Sequence, residues 1–182
     1  MDSRQIAQSR PWLAVGQEIT DLLGRIDADA FARLVQAFDD PDQRWFFSGQ
    51  GRSGLVAQMG AMRLMHLGRA VHFVGEASAP SIRRGDALLI ISGSGETPVS
   101  TGFARIAKAE GAKVVTLTHK PAGILAGIAD VTLHVPVEKS QQFGGSLFEQ
   151  CCLILLDSIV LFMAQQIADA HRLMLHRHTN LQ

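Results

Sequence analysis

The chain has 182 residues, 47% hydrophobic and 19% charged, which suits one globular unit with a sizeable core and leaves little room for a second. Lys plus Arg and Asp plus Glu both number 17, so the formal net charge is zero. That balance argues against a nucleic-acid groove or attraction to an anionic membrane, and any anion binding must be local.

The opening Met1-Asp2-Ser3-Arg4-Gln5 carries no apolar secretory run, so the cytoplasm is the expected location. Apolar residues at helical intervals predict helices over residues 6–26 and 30–38, and Asp39-Asp40-Pro41-Asp42 then makes a turn. Short runs rich in β-branched and aromatic residues predict strands at 44–48, 70–74, 87–92, 113–118 and 131–135. Helical segments fall at 53–67, 98–110 and 124–129. This alternation is the mark of repeated βα units around a largely parallel sheet.

A last helix is expected over 146–170. It is apolar around much of its circumference, which fits burial in the monomer and a subunit interface about equally. Glu149, Gln150, Asp157 and Ser158 interrupt it, so it is not expected to span a membrane. Cys151 and Cys152 read as small core residues. His171, His176 and His178 lack one-turn spacing, and no metal site is expected.

Two turns carry the functional signal. Ser48-Gly49-Gln50-Gly51-Arg52-Ser53-Gly54 closes the first strand, and Ser92-Gly93-Ser94-Gly95-Glu96-Thr97-Pro98 closes the third. Each runs into a helix, so glycines let a ligand approach the backbone while helix-start amides and hydroxyls converge on an anion such as phosphate. Thr97-Pro98 reads as an N-cap followed by the first helical residue. In a doubly wound sheet of order 2-1-3-4-5 these strand ends flank the switch point where ligands bind. Gly49, Gly51 and Gly54 also satisfy G-x-G-x-x-G, with Glu76 near the place of a ribose-binding acid, so a dinucleotide is a minor alternative.

Gly51-Arg52-Ser53-Gly54 and the stretch from Ser92 to Thr97 resemble the two signatures of the sugar isomerase (SIS) superfamily. Residues 61–68, residues 145–150 and the tail Arg177-His178-Thr179-Asn180-Leu181-Gln182 look like those of the 6-phospho-3-hexuloisomerases. The resemblance implies one SIS domain over residues 1–182, with a five-stranded parallel sheet of flavodoxin-like order flanked by helices in three layers. It further implies interconversion of D-arabino-hex-3-ulose 6-phosphate and D-fructose 6-phosphate without a cofactor, in the ribulose monophosphate route of formaldehyde fixation, by a homotetramer.

Such a reaction needs a base to lift a carbon-bound proton and an acid to return it one carbon along. By resemblance the base is Glu149, with Glu96 a weaker rival. Ser146-Leu147-Phe148-Glu149 is equally a capping box, in which the glutamate only satisfies a backbone amide. His66 is a second candidate, although a half-buried imidazole at a helix end is commonly structural. His178, in a polar tail, is expected to act on sugar oxygens in a neighbouring subunit. Ser53, Ser92, Ser94, Thr97 and the Gly51 amide are the expected phosphate ligands. Arg52 either joins them or stays solvated. A phosphosugar-sensing module and another phosphosugar isomerase, acting on an aldose such as arabinose 5-phosphate, are the alternatives.

Overall fold

Alternation along the first strand decides how two layers of helices are held, because successive side chains leave a strand on opposite faces. In the computed structural model, which describes residues 8–181, β1 (Trp45–Gly49) sends Trp45 and Phe47 into one core and Phe46 into another. β3 (Ala87–Ile91) repeats this, with Leu89 and Ile91 on the first side and Leu88 and Ile90 on the second. Both strands are buried throughout, as strands covered on both faces must be.

The helices α1 (Pro11–Leu23) and α2 (Ala28–Gln36) precede β1. After it come α3 (Arg52–His66), β2 (Val71–Phe73), β3, α4 (Pro98–Ala109), β4 (Lys113–Thr118), α5 (Ile124–Ile128) and β5 (Val131–His134). α6 (Ser146–Gln165) and α7 (Ala170–Arg177) close the chain. The sheet is parallel throughout, in the order β2-β1-β3-β4-β5, as expected. The first core takes residues from α1, α2, α3 and α6, such as Leu22, Leu34, Leu64 and Leu156. The second is closed by Ala104 and Ala107 of α4 and Leu125 of α5. The start of the helix expected over 6–26, the Met1 to Gln5 segment and Gln182 lie outside the described residues.

Side-chain bonds fix the entry to the sheet. Asp27 caps α2 by accepting from the Ala30 amide at 2.6 Å, and Phe38 beyond that helix stacks on Trp45 with ring centroids 4.0 Å apart. Arg44 grips Asp86 with two bonds, Nε to Oδ1 at 3.0 Å and Nη2 to Oδ2 at 2.6 Å, tying the starts of β1 and β3. Asp86 also accepts from the Arg83 amide at 2.7 Å. Replacing Asp86 with Ala strands Arg44 and that amide, and should cost about 2 kcal/mol in urea unfolding.

The last helix differs from expectation: it stops at Gln165, and α7 is a separate helix. Between them the amides of Gln166 and Ile167 bond three residues back, to Met163 and Ala164, and Asp169 takes a left-handed φ of 56°. Aspartate tolerates that conformation, so the chain turns with no glycine or proline to announce it.

α3 and α6 lie side by side and point the same way. Arg52 meets Ser146, a Cβ on Gly60 would meet Leu156, and Arg63 pairs with Asp157. Burial in the monomer accounts for one side of α6, and the other side is left exposed. Leu147, Phe148, Cys151, Cys152, Leu155, Leu156, Ile159, Val160 and Met163 are buried, while Leu161 and Phe162 are more than half exposed. α3 likewise shows Leu55, Met59 and Met62 to the outside. Although α6 is long and apolar enough to cross a membrane, half of its apolar window is buried in the core. Burial pushes the Cys151 thiol up to about 11 and Cys152 well above its ordinary value, so both free thiols stay protonated and inert.

Candidate active site

β1 and β3 are neighbours at the middle of the sheet, and both Gly/Ser loops leave their carboxyl ends, where the strand order reverses, the position at which doubly wound sheets form their ligand crevice. In the first loop the end of β1 and the first turn of α3 touch backbone to backbone. A Cβ on Gly49 would lie 2.6 Å from the Ser53 carbonyl, and one on Gly54 would lie 2.7 Å from the Gly49 oxygen. Gly51 precedes α3 with φ 57° and accepts from the Gly54 amide at 3.0 Å, and no side chain caps that helix, so the positive end of its dipole is left uncapped at the loop.

The second loop gathers hydroxyls. Thr97 occupies the N-cap position with Pro98 next, as expected, but its hydroxyl caps no amide. It lies 3.5 Å from Ser92 Oγ and 3.3 Å from Ser94 Oγ. Gly95, at φ 64°, turns the chain so that its amide donates to the Ser92 carbonyl at 3.2 Å. Three hydroxyls thus gather at the uncapped start of α4, an arrangement suited to an anion. Glu96 is exposed on the rim, and no hydrogen bond or ion pair holds its carboxylate.

The capping box at the start of α6 does not form. Gly145 is the N-cap, Ser146 is already helical, and Ser146 Oγ donates to the Phe143 carbonyl at 2.9 Å while accepting from Arg52 Nη1 at 3.0 Å. Glu149 is turned to the first loop instead. Arg52 Nε lies 2.6 Å from its Oε2, and Ser53 Oγ donates to its Oε1 at 3.4 Å. The arginine N–H does not aim along the Oε2 contact, so that oxygen is buried in an ion pair without an aligned hydrogen bond. The Glu149 side chain is only 12% exposed, whereas that of Arg52 is 59% exposed. Arg52 thus pairs with Glu149 and Ser146 while more than half of its side chain stays exposed.

The two expected histidines come together, but not here. His66 and His178 stack with centroids 5.4 Å apart, beside a cavity of about 570 Å³ between α3, α6 and α7. His66 ends the helix that Arg52 begins, so it sits roughly 20 Å along that axis, at the opposite edge of the sheet from Glu149. Within one protomer neither ring reaches a ligand held by the Gly/Ser loops. His178 also has a structural reason to be where it is, which the polar tail did not suggest: α7 carries it onto His66, and Arg177 donates to the His66 carbonyl at 3.4 Å.

Burial, then the proximity of His178 and Arg63, lowers the His66 pKa below its ordinary 6.5. The folded state thus binds fewer protons than the unfolded one, and stability is lost as pH falls from about 6.5 toward the lowered folded value. His66→Gln should flatten that part of a plot of urea midpoint against pH, and an unchanged slope would contradict the assignment.

Sequence reasoning passed over two residues at the crevice. His119 follows β4; its amide donates to the Gly93 carbonyl at 3.2 Å, and its ring meets Phe148, next to Glu149, edge-on at 6.1 Å. Lys120 begins its side chain against Gly95. The available signal was position alone, since both stand at the carboxyl end of a central strand. Glu76 is exposed beyond β2 and accepts from the Phe73 amide at 3.4 Å. Among the described residues no cluster of three or more His, Cys, Asp or Glu could hold a metal ion. From the far side, Glu18 of α1 anchors the segment before α6, and bonds from the Gln141 amide, Gln142 and Ser140 hold its carboxyl below the usual range.

A model of the SIS domain matches residues 40–160. The 3-hexulose-6-phosphate isomerase of Mycobacterium gastri is 36% identical over 176 residues, spanning 92% of this chain and 88% of that one. A Methanococcus jannaschii protein, whose crystal structure is described as inferring a function of 3-hexulose-6-phosphate isomerase, superposes with a TM-score of 0.84. It is 30% identical over 94% of this chain and 99% of that one. An E. coli CFT073 protein, solved with a ligand bound, shares the fold at 19% identity, with a TM-score of 0.82 over 97% of this chain and all of that one.

Proposed function

Since the chain belongs to the SIS domain family, we propose that this phosphosugar isomerase interconverts D-arabino-hex-3-ulose 6-phosphate and D-fructose 6-phosphate in the ribulose monophosphate route. The observation that carries the reading is the Glu149 carboxylate, turned away from its own helix start and held against Arg52 and Ser53 at the first loop. The relatives named for the same reaction supply the substrate.

The 6-phosphate is held by the amides at Gly51 and the start of α3, the hydroxyls of Ser53, Ser92, Ser94 and Thr97, and Arg52. Glu149 lifts the proton from C2 of the 3-ulose, leaving an enediolate across C2 and C3, and returns a proton to C3. The hydroxyl proton passes from O2 to O3, so the carbonyl arrives at C2 with no change in atoms or oxidation level. His119, beside the crevice, is placed to attend the sugar oxygens. For His66 and His178 to serve the reaction they must do so in a neighbouring subunit of a homotetramer. A monomer by light scattering would end that role and leave His119 alone.

The test is a coupled assay in which enzymatically generated hex-3-ulose 6-phosphate is supplied and fructose 6-phosphate is followed without added metal or nucleotide. Turnover supports the proposal. Clear binding of fructose 6-phosphate with no turnover would replace it with a phosphosugar sensor.

A further inference from the structure

We infer that Arg52 is a latch on Glu149, opened by the phosphate of the substrate itself, an inference that rests on the reaction proposed above. Three features converge. The cation and the carboxylate are paired at 2.6 Å, the arginine is 59% exposed while the carboxylate is 12% exposed, and the pair sits at the lip of the uncapped α3 start. This arrangement engages both oxygens of the base, one with Arg52 and one with Ser53.

The partners of Arg52 leave it free to change allegiance. Its remaining bond goes to the neutral Ser146 Oγ at 3.0 Å. A phosphate dianion at the first loop offers two charges and a fork-shaped set of acceptors, which a planar guanidinium prefers to one misaligned carboxylate oxygen. Transfer of Arg52 to the phosphate leaves Glu149 with Ser53 alone, in a site where little water reaches it. Binding energy from the unreacting end of the sugar is thereby used at the reacting end. Arg52 is thus a ligand of the phosphate and a positioning residue for Glu149. A sugar without phosphate would enter and find the base still latched.

The experiment divides the substrate in two. Unphosphorylated D-arabino-hex-3-ulose is supplied with and without inorganic phosphite to the wild-type protein, Arg52→Gln and Arg52→Lys. For the wild type, turnover should be slow and rise at least tenfold with phosphite. Arg52→Gln should turn over the unphosphorylated sugar several-fold faster than the wild type, respond less than twofold to phosphite, and show on the phosphorylated substrate a KM raised at least tenfold with kcat nearly unchanged. Arg52→Lys should restore part of the phosphite response. An Arg52→Gln enzyme no faster than wild type on the unphosphorylated sugar would overturn the latch, because an arginine that only binds phosphate cannot release the base by its absence.

A second reading needs no turnover. The Arg52 Nε–H signal in a 15N NMR spectrum should move when inorganic phosphate is added to the wild type, and should already be displaced in phosphate-free Glu149→Gln. A signal unmoved at saturating phosphate overturns the latch even if the protein isomerises the sugar, whereas a moving signal in a protein that does not isomerise it overturns only the reaction.

Discussion

Glu149→Gln should lower kcat on hex-3-ulose 6-phosphate by roughly a thousandfold or more while leaving the fold in place. A single positioned acid or base contributes about 10²–10⁴ in rate, and here one group serves both halves of the proton transfer, which puts the loss toward the upper end. The folding side is small. Glutamine fills the same space and can still accept from Ser53, and the lost ion pair involves a largely exposed arginine, worth at most about 1 kcal/mol. For a chain of this length that corresponds to a melting point lower by about 2–4 °C. The variant should therefore unfold near the wild-type temperature, bind fructose 6-phosphate and turn over almost nothing. Retention of more than a tenth of the wild-type kcat would remove Glu149 as the base.

Gly49→Ala should have the largest effect on ligand binding. Its Cβ would lie 2.6 Å from both the carbonyl carbon and oxygen of Ser53 and 2.8 Å from the Gly54 amide nitrogen, all of them backbone atoms without a rotamer to escape into. The strand end and the first turn of α3 must separate. Overpacking of this kind costs about 1–3 kcal/mol, with the upper value expected because the obstacle is main chain. The separation also re-aims the amides that would hold phosphate. Gly51→Ala makes the control: its φ of 57° with ψ −131° is strained for alanine, but nothing lies within 4 Å of the new methyl, so a loss of about 1–3 kcal/mol without collapse of the loop is expected. Urea unfolding and calorimetric titration with fructose 6-phosphate measure both effects. Wild-type affinity in Gly49→Ala would show that the clasp does not shape the anion site.

Much of this was legible in the sequence, for definite reasons. The strands announced themselves because residues buried on both sides leave unbroken apolar runs such as Leu88-Leu89-Ile90-Ile91, and the Gly/Ser loops because few residue types can make so tight a turn. The break between α6 and α7 was hidden, since Gln166-Ile167-Ala168-Asp169 contains no usual breaker and the turn rests on one left-handed aspartate. The fate of Glu149 was hidden as well. The capping box is a local pattern, and it lost to Arg52, a cation the fold brings from far along the chain, which also takes up Ser146, 94 residues away. The same limit applies to the histidines, whose stacking depends on how α7 folds back over the end of α3.

Ser53 and Glu149 stand 96 residues apart, with most of the sheet between them. A chain growing from its N-terminus completes both Gly/Ser loops well before the glutamate exists, and α6, which delivers it, also fills the first core. Contacts of such long range form late and slowly. During synthesis or refolding, affinity for phosphate and the power to isomerise should therefore be acquired in that order, and recovered turnover is a measure of how many molecules have finished folding rather than of how many have begun.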